Sequence, residues 1–248
     1  MSSQPHSLSS NQPNPTNPSN NKIRLNKFLA ERLGISRREA DELIDGGKVF
    51  VDDEPAIIGA KIDKSNKVCY NDKVIPFEEK FLYLEMNKPV GYVCSKGQQG
   101  ENPTIYELLP EKYKTLKTVG RLDKDSSGLI LLTNDGDFAF RMTHPKFKKT
   151  KIYIVELDKN LEPLHQQMIS DFGVELSDGK SRFMLMRLDP PESETRKKFE
   201  VTMSEGRNRQ IRRTFGALGY TVRKLHRTNF GDYSLKGLKT GEVREISA

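Results

Sequence analysis

Apolar residues along this 248-residue chain recur at two spacings, and the texture changes near Phe81. In "IRLNKFLAERLG", Ile23, Leu25, Phe28, Leu29 and Leu33 fall at helical spacing, and Gly34 ends the run. The next segment, "SRREADELIDGGKVFVD", predicts a helix opened by a Ser36/Glu39 capping box, with Ala40, Leu43 and Ile44 as its buried stripe. Gly46 and Gly47 supply its left-handed stop, and "KVFVD" follows as a strand. "KVCYNDKVI" reads as a hairpin turning at Asn71-Asp72, which closes a compact unit over residues 22–77, and "PFEEK" reads as a linker.

From Phe81 onward, strands outnumber helices. "FLYLEMNKP", "LILLTNDG", "TKIYIVEL", "RFMLMRLD", "KKFEVTM", "TVRKLHRTNFG" and "GEVREI" predict strands, and "TKIYIVEL" alternates as a half-buried strand should. "TIYELLPEKY", "DFAFRMTHP", "EPLHQQMISDFG" and "RNRQIRRTFGALG" predict helices. Strands and helices do not alternate regularly, so the class is α+β with a mainly antiparallel sheet, not a doubly wound fold. No apolar run approaches the length of a membrane span. The first 21 residues lack Lys, Arg, Asp and Glu and are rich in Ser, Asn and Pro; they read as a disordered tail, not a secretory signal.

Charge sharpens the picture. The formal net charge is +7, and ten Lys or Arg against two Glu lie between Arg196 and Arg227, which alone accounts for it. Five more bases and no acid lie between Arg141 and Lys151, Lys148 and Lys149 among them. Clustered basic charge favours an anionic partner, nucleic acid first. Arg37 and Arg38 occupy a first helical turn, where the macrodipole disfavours cations; they either meet a phosphate or point into water. Two cysteines and four scattered histidines give no disulfide framework and no metal spacing, and the expected compartment is reducing and cytoplasmic. Neither a dinucleotide-binding glycine motif nor a P-loop is present.

What remains is "GRLDKDSSGL", where Arg121 and Asp123 flank Leu122 before a tight Ser126-Ser127-Gly128 turn. On these residues alone a structural Arg–Asp pair or a loop-capping aspartate is the stronger reading. Taken with "TNDGDFA", "KIYIVEL", "EGRNRQIRR" and "KLHR", however, the chain resembles the RsuA-type ribosomal RNA pseudouridine synthases over residues 22–248. Its amino-terminal unit resembles the S-four RNA-binding module. The resemblance implies an S-four-like domain at 22–77 and a pseudouridine synthase catalytic domain at 81–248.

The resemblance also implies roles. Asp123 is the catalytic carboxylate, with Arg121 beside it. Tyr153 lies against the target base, Arg212 pairs with Asp123 and keeps it ionised, and Ile211 and Leu225 line the pocket. Arg207, Arg209 and Arg213, taken to share Arg212's helix, position phosphates, as do Lys148 and Lys149. Asn87-Lys88-Pro89 shapes the sheet edge near the site. The reaction moves a base within one nucleotide, so no cofactor or metal is implied. The expected partner is ribosomal RNA or an assembly intermediate, with large-subunit rRNA favoured, and the protein is expected to act as a monomer. The competing readings are a non-catalytic RNA-binding assembly protein of the same build, and an RNA-modifying enzyme of another class such as a methyltransferase.

Overall fold

The computed structural model describes residues 22–77, 80–97 and 100–247; the tail expected at 1–21 lies outside them. The chain divides into two compact units, Met1–Glu79 and Lys80–Ala248.

In the first unit, β1 (Ile23–Arg24) leads into α1 (Leu25–Arg32) and α2 (Arg37–Asp45). The expected capping box is present: Glu39 N donates to Ser36 Oγ at 3.1 Å, and Ser36 N to Glu39 Oε2 at 2.6 Å. Only Gly47 supplies the left-handed stop, with φ 66°; Gly46 remains near helical geometry with φ −74°. Next come β2 (Val49–Val51), β3 (Glu54–Pro55), β4 (Lys61–Ile62), β5 (Val68–Tyr70) and β6 (Lys73–Ile75). They form a sheet in the order β3-β2-β5-β6, while β4 pairs with β1. The β5–β6 hairpin turns at Asn71 and Asp72, both at positive φ, as a two-residue type I′ turn requires. Leu25, Phe28, Leu29, Ala40, Ile44 and Val49 fill the core. Phe77 belongs to this unit more than to a linker: its ring stacks on Phe28 at 4.5 Å and its carbonyl accepts from Arg32. Glu78 and Glu79 of that linker lie outside the described residues.

The second unit is built on a mainly antiparallel sheet. Its strands are β7 (Tyr83–Lys88), β8 (Lys117–Val119), β9 (Ser127–Thr133), β10 (Lys151–Leu157), β11 (Val174–Leu176), β12 (Gly179–Ser181), β13 (Met184–Arg187), β14 (Lys198–Met203), β15 (Val222–Phe230), β16 (Tyr233–Ser234) and β17 (Val243–Ile246). The main sheet runs β13-β14-β10-β15-β9-β7-β17, with β8 paired to β9 and β16 to β15, and β11–β12 forms a separate hairpin. The helices are α3 (Gly136–Thr143), α4 (Pro163–Gln167), which continues as a π-turn over Met168–Phe172, and α5 (Gln210–Ala217). The helix expected at "TIYELLPEKY" is instead two 3-10 turns, Ile105–Leu108 and Glu111–Tyr113, because Pro110 lies between them and cannot continue a helix.

Two features of this sheet position the site. Each face of β9 is buried, Ile130 and Leu132 against one apolar cluster and Leu129 and Leu131 against another. One edge of β9 pairs with β7, and its other edge is shared. Ser127 and Gly128 pair in parallel with His226 and Arg227 of β15, whereas Leu131 to Thr133 pair with β8. The sheet therefore splits between β15 and β8. Gly128 stands at the start of the split with φ 108°, and a Cβ there would lie 2.2 Å from the Arg227 carbonyl oxygen. Only glycine permits that approach.

Candidate active site

The segment after β8, residues 120–126, carries Asp123 along one wall of a cavity of about 750 Å³. Tyr153 on β10, Leu225 on β15 and Ile211 on α5 line the same cavity. All three are buried and contribute apolar side chains to the cavity that Asp123 also lines. Arg121 also lines the cavity, and its side chain is exposed. The structure thus brings Asp123, Arg121, Tyr153, Ile211 and Leu225 to one cavity. Volume and lining are of the kind that receives a small planar group.

The turn holding Asp123 is fixed from beneath. Ser126 N donates to the Asp123 carbonyl at 3.1 Å, closing a tight turn. Lys88, at the end of β7, is fully buried, and its Nζ donates to the carbonyls of Pro89 (3.0 Å), Asp123 (3.1 Å) and Ser126 (2.7 Å). Burial pulls the Lys88 pKa down, but three carbonyl dipoles solvate the ammonium. Gly91 N donates to the Lys124 carbonyl at 2.8 Å, which ties the same segment a second time. Lys88 was expected to shape a sheet edge; it acts instead as the anchor of the catalytic-candidate turn.

The arginines depart from expectation. Arg212 does not pair with Asp123. Its Nε lies 3.3 Å from Asp125 Oδ2, its Nη1 donates to the Val222 carbonyl (2.8 Å) and its Nη2 to the Asp125 carbonyl (2.8 Å). The ion pair of Asp123 is with Arg209, whose Nη1 lies 3.6 Å from Oδ2. Arg209 also grips Asp125 through two 2.9 Å hydrogen bonds. The physical reason is local. Arg207 and Arg209 are not on the helix: α5 starts at Gln210, and Arg209 precedes it in left-handed geometry (φ 47°), which swings its side chain across to both carboxylates. Arg209 and then Arg212 hold the Asp125 carboxyl below the usual range. Asp125, given no role from sequence, is therefore the charge that organises this corner, and Arg212 positions the turn through it.

Arg207 and Arg213 are committed elsewhere. Arg213 forms a bidentate pair with Asp178 at 2.9 and 2.7 Å. Arg207 Nη1 donates to the Asp178 carboxylate and to the Asp178 and Gly179 carbonyls, closing off the β11–β12 hairpin. Lys149 lies 3.3 Å from Asp232, and Lys148 is an exposed left-handed residue after α3. Arg37 and Arg38 are exposed at the start of α2, in the first unit, where the capping box already uses the backbone N–H of Glu39. Among the described residues, no three His, Cys, Asp or Glu side chains gather as metal ligands would.

A carboxylate that is ion-paired to arginine and lines a cavity together with apolar and basic side chains is of a type that can serve nucleophilic or acid–base chemistry. The sheet that carries it has relatives. Residues 83–217 match the family described as RNA pseudouridylate synthase, and residues 23–62 match the S4 domain. The chain is 34% identical to ribosomal large subunit pseudouridine synthase B of Bacillus subtilis, covering 90% of this chain and 92% of that protein. It is 36% identical to ribosomal small subunit pseudouridine synthase A of Pasteurella multocida, covering 91% and 97%. It is also 36% identical to the dual-specificity RNA pseudouridine synthase RluF of Escherichia coli, covering 91% and 76%. A crystal structure of a pseudouridylate synthase superposes with a TM-score of 0.64 at 33% identity, covering 91% of this chain and 96% of that one. The chain belongs to the RNA pseudouridylate synthase family, with an amino-terminal S4 domain; it is an isomerase, and the methyltransferase reading is set aside.

Proposed function

We propose that this protein converts one or a few uridines of ribosomal RNA to pseudouridine, with Asp123 as the reacting carboxylate. The observation that carries the reading is the placement of Asp123 against Tyr153, Ile211 and Leu225 in one cavity, within a chain of this family. The target uridine leaves the stack so that its ribose reaches Asp123 and its ring lies against Tyr153. The bond from ring N1 to the sugar C1′ breaks and its electron pair stays on the ring. The ring turns, C5 bonds to C1′, the C5 proton leaves to solvent, and N1 takes up a proton. Nothing is oxidised and no group is donated, so the chemistry calls for no cofactor. Asp123 acts either as nucleophile at C1′ or as base on the neighbouring sugar proton. Arg209 lies 3.6 Å from the Asp123 carboxylate, while Arg212 and Lys88 fix the turn that aims it.

Residues 22–77 form the S-four RNA-binding domain, in which Arg37 and Arg38 meet phosphate, and residues 81–248 form the catalytic domain. Arg121, Arg209, Lys148 and Lys149 offer further positive charge to the RNA backbone, joined by Arg207 and Arg213 where RNA phosphate replaces Asp178. The protein works as a cytoplasmic monomer; no helix among the described residues is long and apolar enough to cross a membrane. Large-subunit rRNA is the substrate class we favour, from the texture of "LTNDGDFAFRMTHP" and "SLKGLKTGEVREI". Small-subunit or dual specificity is the second reading, which the names of the Pasteurella and Escherichia relatives favour.

The test is to incubate the protein with unmodified rRNA from each subunit and map pseudouridine by carbodiimide adducts and primer extension. New stops confined to large-subunit rRNA support the reading. Stops in small-subunit rRNA correct the specificity. None in either, free or in assembling particles, favours a non-catalytic RNA-binding protein.

A further inference from the structure

Two cations in the same cavity stand apart from the arginine pairs described above. Arg227, on β15, lines the cavity yet is only 2% exposed. Its Nε donates to the Leu129 carbonyl at 2.7 Å, filling the gap that opens where β9 passes from β15 to β8. Its Nη2 is buried and has no hydrogen-bond partner. Lys151, at the start of β10, lines the cavity too, and its Nζ reaches only the carbonyls of Glu205 (3.2 Å) and Ser204 (3.5 Å). Both cations lie over one aromatic ring: the Arg227 guanidinium carbon is 4.8 Å from the Phe230 centroid and Lys151 Nζ is 5.4 Å from it. Burial and the neighbouring Arg227 charge both depress the Lys151 pKa.

Neither cation forms an ion pair with a carboxylate of the described residues, whereas Arg207, Arg209, Arg212 and Arg213 all do. Two like charges stacked on one ring in a partly desolvated wall, one of them with an unmade donor, are costly unless a ligand supplies the counter-charge. A guanidinium fork next to an ammonium suits an oxyanion with two free oxygens.

We propose that Arg227 and Lys151 bind a backbone phosphate adjoining the uridine that faces Asp123, so that this pair sets the register of the extruded nucleotide. The inference rests on the RNA-isomerase reading above. A phosphate fits better than a uracil carbonyl because its charge is present on arrival; uracil is neutral until its bond to the sugar breaks.

The test uses the full-length protein, wild type, Arg227→Gln and Lys151→Gln, each checked for a native melting transition. The first probe is a ten-nucleotide oligouridylate, whose binding needs no turnover. Each variant should bind about tenfold more weakly, with a salt slope flatter by about one. The second probe is the rRNA fragment bearing the mapped uridine, with a neutral methylphosphonate placed in turn on either side of it. One placement should cost the wild type the same tenfold and cost the variants nothing further. Unchanged affinity and slope in Lys151→Gln and in any folded Arg227→Gln would overturn the proposal. So would a fall in kcat at unchanged affinity, which would assign Arg227 to the uracil. If Arg227→Gln does not fold, Lys151→Gln with the two neutral linkages decides alone. Failure of the isomerase reading shows separately, as no product from wild type.

Discussion

The buried ammonium of Lys88 donates to the main-chain carbonyls of Asp123 at 3.1 Å and Ser126 at 2.7 Å, so one side chain holds both ends of the turn that aims the candidate carboxylate. Lys88→Met keeps the volume and removes the side-chain donor from three carbonyls, of which that of Asp123 keeps its bond from Ser126 N. Leaving buried carbonyls unpaired costs about 1–3 kcal/mol each, and partial relaxation limits the sum to roughly 2–4 kcal/mol. Urea unfolding should show that loss, and turnover should drop while RNA affinity stays close to wild type. A variant with unaltered midpoint and kcat would refute the anchoring role.

Asp125 gives a pH signature. Arg209 and Arg212 depress its pKa in the folded protein below the ordinary 3.8. A depressed carboxylate stabilises the fold fully above the unfolded value, and that stabilisation is lost as pH falls through the folded value. Asp125→Asn should therefore be less stable than wild type at pH 6. Because the pair is partly exposed, the gap should be about 1 kcal/mol or less. Denaturation midpoints compared at pH 6 and pH 3 should show the gap closing on acidification; a gap that widens would contradict the pairing.

Asp178 holds Arg207 at 3.0 Å and Arg213 at 2.7 Å in the RNA-free protein. If these arginines exchange that carboxylate for RNA phosphate, removing the competitor helps binding. Asp178→Asn should tighten RNA binding at low salt and steepen its salt dependence by about one unit of slope. An unchanged slope, with only a lower melting temperature, would make both arginines structural props of the β11–β12 hairpin.

Legibility from sequence followed the range of the interactions. The Ser36/Glu39 box and the Asn71-Asp72 turn were readable because each is complete within four residues. Tyr153 was correctly placed on a half-buried strand because alternation is a local pattern. The arginine partners were not readable. A one-residue change of backbone handedness at Arg209 decides which guanidinium reaches Asp123, and no periodicity reports it. The anchoring role of Lys88 and the burial of Arg227 were missed for a related reason. Long basic residues are rarely buried, and apart from the adjacent Pro89 their partners are main-chain carbonyls 35 to 98 residues away. The split of the sheet depends on a parallel pairing of Gly128 with Arg227 that only the assembled fold creates.

The central claim is that Asp123 performs the isomerisation unaided by cofactor. The direct measurement is tritium release from rRNA labelled at uracil C5, with no added metal or cofactor, comparing wild type and Asp123→Asn at matched RNA occupancy. The account predicts release by wild type and a loss of at least about 10³-fold in the variant with RNA affinity intact, the scale expected when the one reacting group is removed. Comparable release by both proteins would contradict it.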